Sequence, residues 1–208
     1  MIPAGRFITL EGGEGAGKST HIQAIKQQLE ARGITVLLTR EPGGTKGAEA
    51  IRNLVVNGVG DRWDPLTELF LMMAARQDHV TRCVAPALAA GNWVISDRFH
   101  DSSRVYQGLA GGLGLALVDQ FHAPILATAK PDLTILIDLD PQIGLQRRAG
   151  QAAGTRFEAK GLAFHEKVRD GFLTLAQMEP SRFLVVDGAQ ELASVEAEIL
   201  AGVEQRLL

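Results

Sequence analysis

The chain has 208 residues, 46% of them hydrophobic and 22% charged, with a formal net charge of −3. This balance fits a globular chain with one sizeable core; it excludes intrinsic disorder, an overall basic footprint for nucleic acid, and an apolar run long enough to span a bilayer. One cysteine, Cys83, excludes an internal disulfide framework, and no basic segment leads into an apolar stretch at the N-terminus, so a cytoplasmic protein with no membrane or nucleic-acid partner is expected.

Taken in order, Phe7 to Leu10 is a strand-sized apolar run, and Ile22, Ile25 and Leu29 recur at helical spacing up to the stop signal Gly33. Between them lies Gly12-Gly13-Glu14-Gly15-Ala16-Gly17-Lys18-Ser19-Thr20, which fits G-x-x-x-x-G-K-[ST]. In such a strand–loop–helix unit the backbone N–H groups curl around a phosphate chain. The lysine reaches the outer phosphates, the Ser19 hydroxyl faces Mg²⁺, and the glycines admit the ligand without Cβ clashes. Ile34 to Thr39 reads as a buried strand ending in Arg40-Glu41-Pro42-Gly43-Gly44, followed by a helix over about Lys46 to Val56 and a loop through Gly58, Gly60 and Asp61. Asp64-Pro65 opens the longest helix, with Asp as cap and Pro at the first helical position; it is expected to run towards Arg82, with a further turn after Pro86 reaching Ala90.

Asn92 to Ser96 reads as the next strand, ending in Asp97-Arg98, and a polar segment through Ser102, Ser103, Tyr106 and Gln107 follows. A helix over Leu115 to Leu126, a strand over Asp132 to Asp138 and a helix over Pro141 to Arg148 lead to a flap over Ala149 to Thr155. A helix over about Glu158 to Met178, a strand over Phe183 to Val186 and a helix over Glu191 to Leu207 close the chain. Five short strands alternating with helices predict a three-layer α/β fold: a five-stranded parallel sheet with helices on both faces, forming one domain over 1–208 with a small lid at about 147–157. Ligands of such sheets sit at the carboxyl ends of the strands, so the glycine loop, Arg40-Glu41 and Asp97-Arg98 are expected to line one crevice.

One phosphate chain needs only the loop, Lys18 and Mg²⁺. Arg40 and Arg98 at neighbouring strand ends therefore point to a second phosphorylated ligand facing the first, and so to phosphoryl transfer, where positioning and charge neutralisation dominate catalysis. Asp97 ends its strand in the manner of a Walker-B acid, placed to reach Mg²⁺ through water or to hold Lys18 or Arg98 in place. Arg147, Arg148 and Arg156 bracket the flap, which could close over the reacting phosphates and exclude water. Arg76, within Met72-Met73-Ala74-Ala75-Arg76, needs a carboxylate or a polar ligand edge as partner.

These residues, with Glu11 before the loop, Thr39 to Thr45, Ala74-Ala75-Arg76, Ser102-Ser103, Tyr106-Gln107-Gly108, Pro131-Asp132-Leu133 and Arg156-Phe157-Glu158, resemble bacterial thymidylate kinases over essentially the whole chain. The resemblance implies a P-loop NTPase fold and transfer of the ATP γ-phosphate to dTMP, giving dTDP and ADP for dTTP biosynthesis, with Mg²⁺ as cofactor and a homodimer formed through apolar helices. By the same resemblance, Glu14 lies by the sugar 3′-hydroxyl and the reacting phosphate, while Arg40 and Arg98 hold the dTMP phosphate. Arg76 reads the thymine carbonyl, Ser103 and Gln107 approach the base, and Tyr106 packs beside the sugar. Met72 stands where many relatives carry a base-stacking aromatic. The phosphate loop has no arginine of its own, so Arg148 or Arg156 is expected to supply charge from the lid. Two other readings share the loop: a kinase for another deoxynucleotide or a deoxynucleoside, and a nucleotide-dependent ATPase switch. The chain lacks the N-K-x-D and D-x-x-G elements that would favour the switch.

Overall fold

The computed structural model describes residues 5–57, 62–149 and 155–208. The expected loop at Gly58, Gly60 and Asp61 and the interior of the expected flap lie outside the described residues. The strands are β1 (Phe7–Glu11), β2 (Val36–Arg40), β3 (Trp93–Asp97), β4 (Leu133–Asp138) and β5 (Phe183–Asp187). They form one parallel sheet in the order β2-β3-β1-β4-β5. The register aligns their carboxyl ends: Arg40 pairs with Asp97 across β2 and β3, Leu10 with Asp97 across β1 and β3, and Glu11 with Leu136 across β1 and β4. Charged residues that follow apolar strand cores thus meet along one edge.

The helices are α1 (Lys18–Ala31), α2 (Lys46–Val56), α3 (Pro65–His79), α4 (Ala85–Ala89), α5 (His100–Ser103), α6 (Leu115–Leu126), α7 (Pro141–Arg148), α8 (Leu162–Met178) and α9 (Leu192–Leu207). Local chemistry explains several starts. Thr45 accepts from the Ala48 amide at the head of α2, Asp64 from the Leu66 and Thr67 amides at the head of α3, and Asp140 from the Gln142 amide at the head of α7. Ile8, Leu10, Ile25, Leu29, Ile135 and Ile199 are fully buried on one side of the sheet, in the layer of α1 and α9. Phe7, Val94 and Phe99, with Leu136 and Phe172, form the cores on the other side. Each such side chain contributes roughly 1.5–3 kcal/mol of burial free energy.

Three departures from the sequence expectation bear on the site. The helix expected to run to Arg82 keeps α-geometry only to His79 and continues through a π-helical turn, Val80–Val84, into α4. The segment read only as polar is helical, α5 passing into a second π-helical stretch, Arg104–Leu109, that brings Ser103, Tyr106 and Gln107 inward. Helix α8 begins at Leu162, not near Glu158.

A buried ion network anchors α5. Asp101, with no exposed surface, accepts from Arg182 at 2.6 and 2.9 Å and from Arg104 at 3.2 Å. Arg104 in turn pairs with Glu179 at 2.6 Å. The turn after β3 is thereby tied to the segment between α8 and β5.

Candidate active site

The residues brought together at the strand ends line a cleft of about 580 Å³. Its floor is the glycine loop. Gly15 and Gly17 adopt φ of 69° and 88°, the left-handed region that glycine enters without a Cβ penalty. Helix α7 packs onto this loop so closely that a Cβ on Gly144 would fall on the carbonyl oxygen of Glu14. Lys18 is almost fully buried, and its Nζ donates to the loop carbonyls of Gly13 at 2.9 Å and Gly12 at 3.3 Å. Burial, then the charge of Arg98, pulls its pKa below the usual lysine value.

Beside the loop, Ser19 Oγ donates to Asp97 Oδ2 at 3.4 Å, while Asp97 Oδ1 is buried without a hydrogen-bond partner among the described residues. A hydroxyl and an unsatisfied carboxylate oxygen next to a phosphate loop form the hard oxygen set that suits Mg²⁺, an ion that otherwise relies on phosphate oxygens and water. No group of three or more His, Cys, Asp or Glu residues among the described residues could hold a metal.

Arg98 stands opposite. It is held at φ 67°, a conformation uncommon outside glycine, with its amide bonded to Leu10 O at 2.9 Å and its carbonyl accepting from Ser96 Oγ at 2.7 Å. Its Nη2 donates to Glu14 Oε1 at 3.0 Å and its Nη1 to Ser102 Oγ at 3.2 Å. Tyr106 also donates to Glu14 Oε1, at 3.1 Å. Burial raises the Glu14 carboxyl pKa, but Arg98, Lys18 and the Tyr106 hydroxyl outweigh it and hold Glu14 below the usual carboxylate value. Underneath, the fully buried Glu11 accepts from the Phe99 amide at 2.8 Å, the Ser102 amide at 3.2 Å and the Ser102 hydroxyl at 2.6 Å.

Arg76 has the carboxylate partner that its apolar surroundings demand: Nε donates to Glu41 Oε2 at 2.6 Å, and the side chain is buried. The cleft also includes Met72, Ser103, Tyr106 and Gln107. Gln107 donates to Glu68 Oε1 at 2.6 Å.

The Caulobacter vibrioides thymidylate kinase is 50% identical to this sequence over 203 residues, covering 98% of each chain. That of Magnetococcus marinus is 48% identical over 205 residues, with 97% of each covered. The thymidylate kinase family model matches residues 10–199. The chain belongs to the thymidylate kinase family. The crystal structure of the Ehrlichia chaffeensis thymidylate kinase superposes with a TM-score of 0.78 at 32% identity, covering 97% of this chain and all of that one. As a member of the thymidylate kinase family the chain is an enzyme, a nucleoside monophosphate kinase with the three-layer P-loop fold.

Within this thymidylate kinase fold, three expected site residues are engaged with carboxylates of the chain itself. Arg40 lines the cleft, but its guanidinium pairs with Glu49 at 3.1 Å and the side chain is 56% exposed. Arg148 lines the cleft and pairs with Glu158 at 2.6 Å, whereas Arg156 is buried away from the cleft lining, its guanidinium bonded to Glu68 and to the Val55 carbonyl. The sequence reading does not single out Arg52. It lines the same cleft, is half-buried, and donates to Pro42 O at 2.7 Å. Burial, then the nearby Arg40, draws its pKa down. Its spacing from Ala48 and Val56, four residues either way and both buried, is the signal that could have revealed it.

Proposed function

We propose that the chain transfers the γ-phosphate of ATP to dTMP, with Glu14 and Arg98 at the meeting point of the two nucleotides. The observation that carries this reading is the 3.0 Å bond between them, since it joins the donor's loop to a guanidinium at the acceptor end of one cleft. Main-chain amides from Gly12 to Thr20 and Lys18 hold the triphosphate. Ser19 and Asp97 would hold Mg²⁺, which would supply neutralisation of the charge on the triphosphate.

Arg98, Arg52 and Arg40 clamp the acceptor phosphate; Arg40 exchanges Glu49 for the ligand. A phosphate oxygen of dTMP then attacks the γ-phosphorus in line, the bond to the β,γ-bridging oxygen breaks, and ADP leaves with that electron pair. Glu14, kept ionised, orients Arg98 and accepts from the sugar 3′-hydroxyl. Arg76 donates to the thymine carbonyl, with Ser103 and Gln107 near the base, Met72 packed on its face and Tyr106 beside the sugar. Arg148 is the lid residue that brings positive charge to the transferring group; Arg156 ties the lid base to Glu68.

A homodimer through α3 and α6 is supported by Phe70, 49% exposed on α3 and packed edge-on against Phe121 of α6. No helix among the described residues is long and apolar enough to cross a membrane, which suits a cytoplasmic enzyme.

Steady-state turnover with ATP and each of dTMP, dUMP, dCMP, dGMP and thymidine tests the reading. dTMP is expected to give the highest kcat/KM. Phosphorylation of thymidine but not dTMP, or ATP hydrolysis independent of any acceptor, would overturn it.

A further inference from the structure

A guanidinium carries five N–H donors and no acceptor. In Arg76, four of the five are engaged: Nε with Glu41 Oε2 at 2.6 Å, Nη1 with Ser103 Oγ at 3.0 Å and with His122 Nε2 at 2.6 Å, and Nη2 with the Phe99 carbonyl at 3.1 Å. The fifth, on Nη2, is left for a ligand in the cleft that Arg76 lines.

His122 is the least expected of these partners, because it comes from α6, 46 residues further along the chain. It has no exposed surface, and its Nδ1 lies 2.6 Å from the Val118 carbonyl one turn back. A carbonyl only accepts and a guanidinium only donates, so the geometry fixes the imidazole: neutral, proton on Nδ1, lone pair on Nε2 towards Arg76. The other groups facing the ring, His100 and Asp101 of α5, do not compete for Nε2; His100 lies 5.9 Å away ring to ring, and Asp101 is engaged with Arg182. Burial, then the Arg76 charge, pushes the His122 pKa down to about 2, so the ring stays neutral at working pH.

We propose that His122 is a positioning residue for base recognition: by accepting from Nη1 it locks the plane of Arg76, so that the remaining Nη2 donor requires a carbonyl oxygen, not an amino group, on the acceptor base. This rests on the dTMP reading above. Three acceptors from the segments that follow β2 and β3 and one from α6 surround a single flat group, and such a group has little freedom to turn towards a different base edge. Glu41 is itself steadied from behind: its other oxygen bonds His79 Nδ1 at 2.8 Å, and His79 Nε2 bonds Thr39 Oγ1 at 2.6 Å.

The test compares wild type with H122M, which removes the acceptor, and H122Q, whose amide oxygen can replace it. H122M is expected to raise KM for dTMP about tenfold and to reduce the preference for dTMP over dCMP at least tenfold, with KM for ATP within twofold of wild type. H122Q is expected to recover most of that preference, and thermal melts of both variants confirm folding. Unchanged preference in folded H122M, or equal losses in H122M and H122Q, would overturn the proposal. A measurement without any variant guards against a misfolded H122M: the ¹⁵N shifts of the wild-type ring are expected to report the neutral Nδ1–H tautomer, and an Nε2–H or charged ring would overturn the proposal. Wild type inactive on dTMP would sink the functional reading itself, whereas active wild type with indifferent variants sinks only the role of His122.

Discussion

Arg98 and Glu14 are 84 residues apart in sequence and joined by a 3.0 Å charge-assisted hydrogen bond across the cleft. In the proposed function the same guanidinium clamps the acceptor phosphate, so Arg98→Ala would remove both that clamp and the partner of Glu14. We expect kcat/KM for dTMP to fall at least a thousandfold, about 4 kcal/mol of transition-state stabilisation. Arg98→Lys is expected to recover only part of this, since an ammonium cannot reproduce the fork. Steady-state kinetics of both variants check it; a loss under tenfold in R98A would remove Arg98 from the reacting centre.

Arg52 and Arg40 differ in readiness. Arg52 is half-buried in the cleft wall, while Arg40 is spent on Glu49 and must leave it to meet a ligand. Arg52→Ala is therefore expected to raise KM for dTMP by roughly ten- to a hundredfold, and more than Arg40→Ala does. Initial-rate measurements at saturating ATP decide the order.

Gly144 lies where α7 touches the Glu14 carbonyl, so Gly144→Ala forces the phosphate loop and α7 apart. Overpacking of this kind costs typically 1–3 kcal/mol. The expected outcome is a Tm lowered by several degrees and a KM for ATP raised about tenfold or more, read by a thermal melt and by ATP titration at fixed dTMP.

Asp101 is the buried anion shared by Arg182 and Arg104. Asp101→Asn leaves two buried guanidinium groups under-compensated, a loss on the order of 3–5 kcal/mol. Urea unfolding near neutral pH should show the midpoint shift without a change in slope.

Burial lifts the Glu11 carboxyl to about 7; Arg98 opposes the rise and Asp101 adds to it. A folded-state pKa above the unfolded value means that the native chain holds the extra proton. This contribution is full below about pH 4.5 and is lost as pH rises through about 7, at roughly 1.4 kcal/mol per pH unit inside that window. His100, pushed down to about 4 by burial, and His122 act with the opposite sign as pH falls below the ordinary histidine range. The comparison of wild type with Glu11→Gln isolates the Glu11 share. Urea unfolding at pH 5, 6 and 7 is expected to show stability rising more steeply with pH in the variant, by up to one proton's worth.

The phosphate loop, the bounds of α2, α6 and α7, and the Asp64-Pro65 start of α3 were legible in the sequence because each depends on neighbours within a few residues: glycine spacing, a cap, a proline, a hydrophobic period. The crevice was legible too, since a parallel sheet brings its strand ends to one edge. Only the tertiary structure decided which charge meets which. It paired Arg76 with Glu41 and His122, turned Arg156 onto Glu68, gave Arg40 to Glu49, brought Arg52 out of an ordinary-looking helix into the cleft, and wound residues 100–109 into helical turns. An ion pair or a buried acceptor joins groups far apart along the chain, and its energy depends on burial and distance, neither of which exists until the layers have packed.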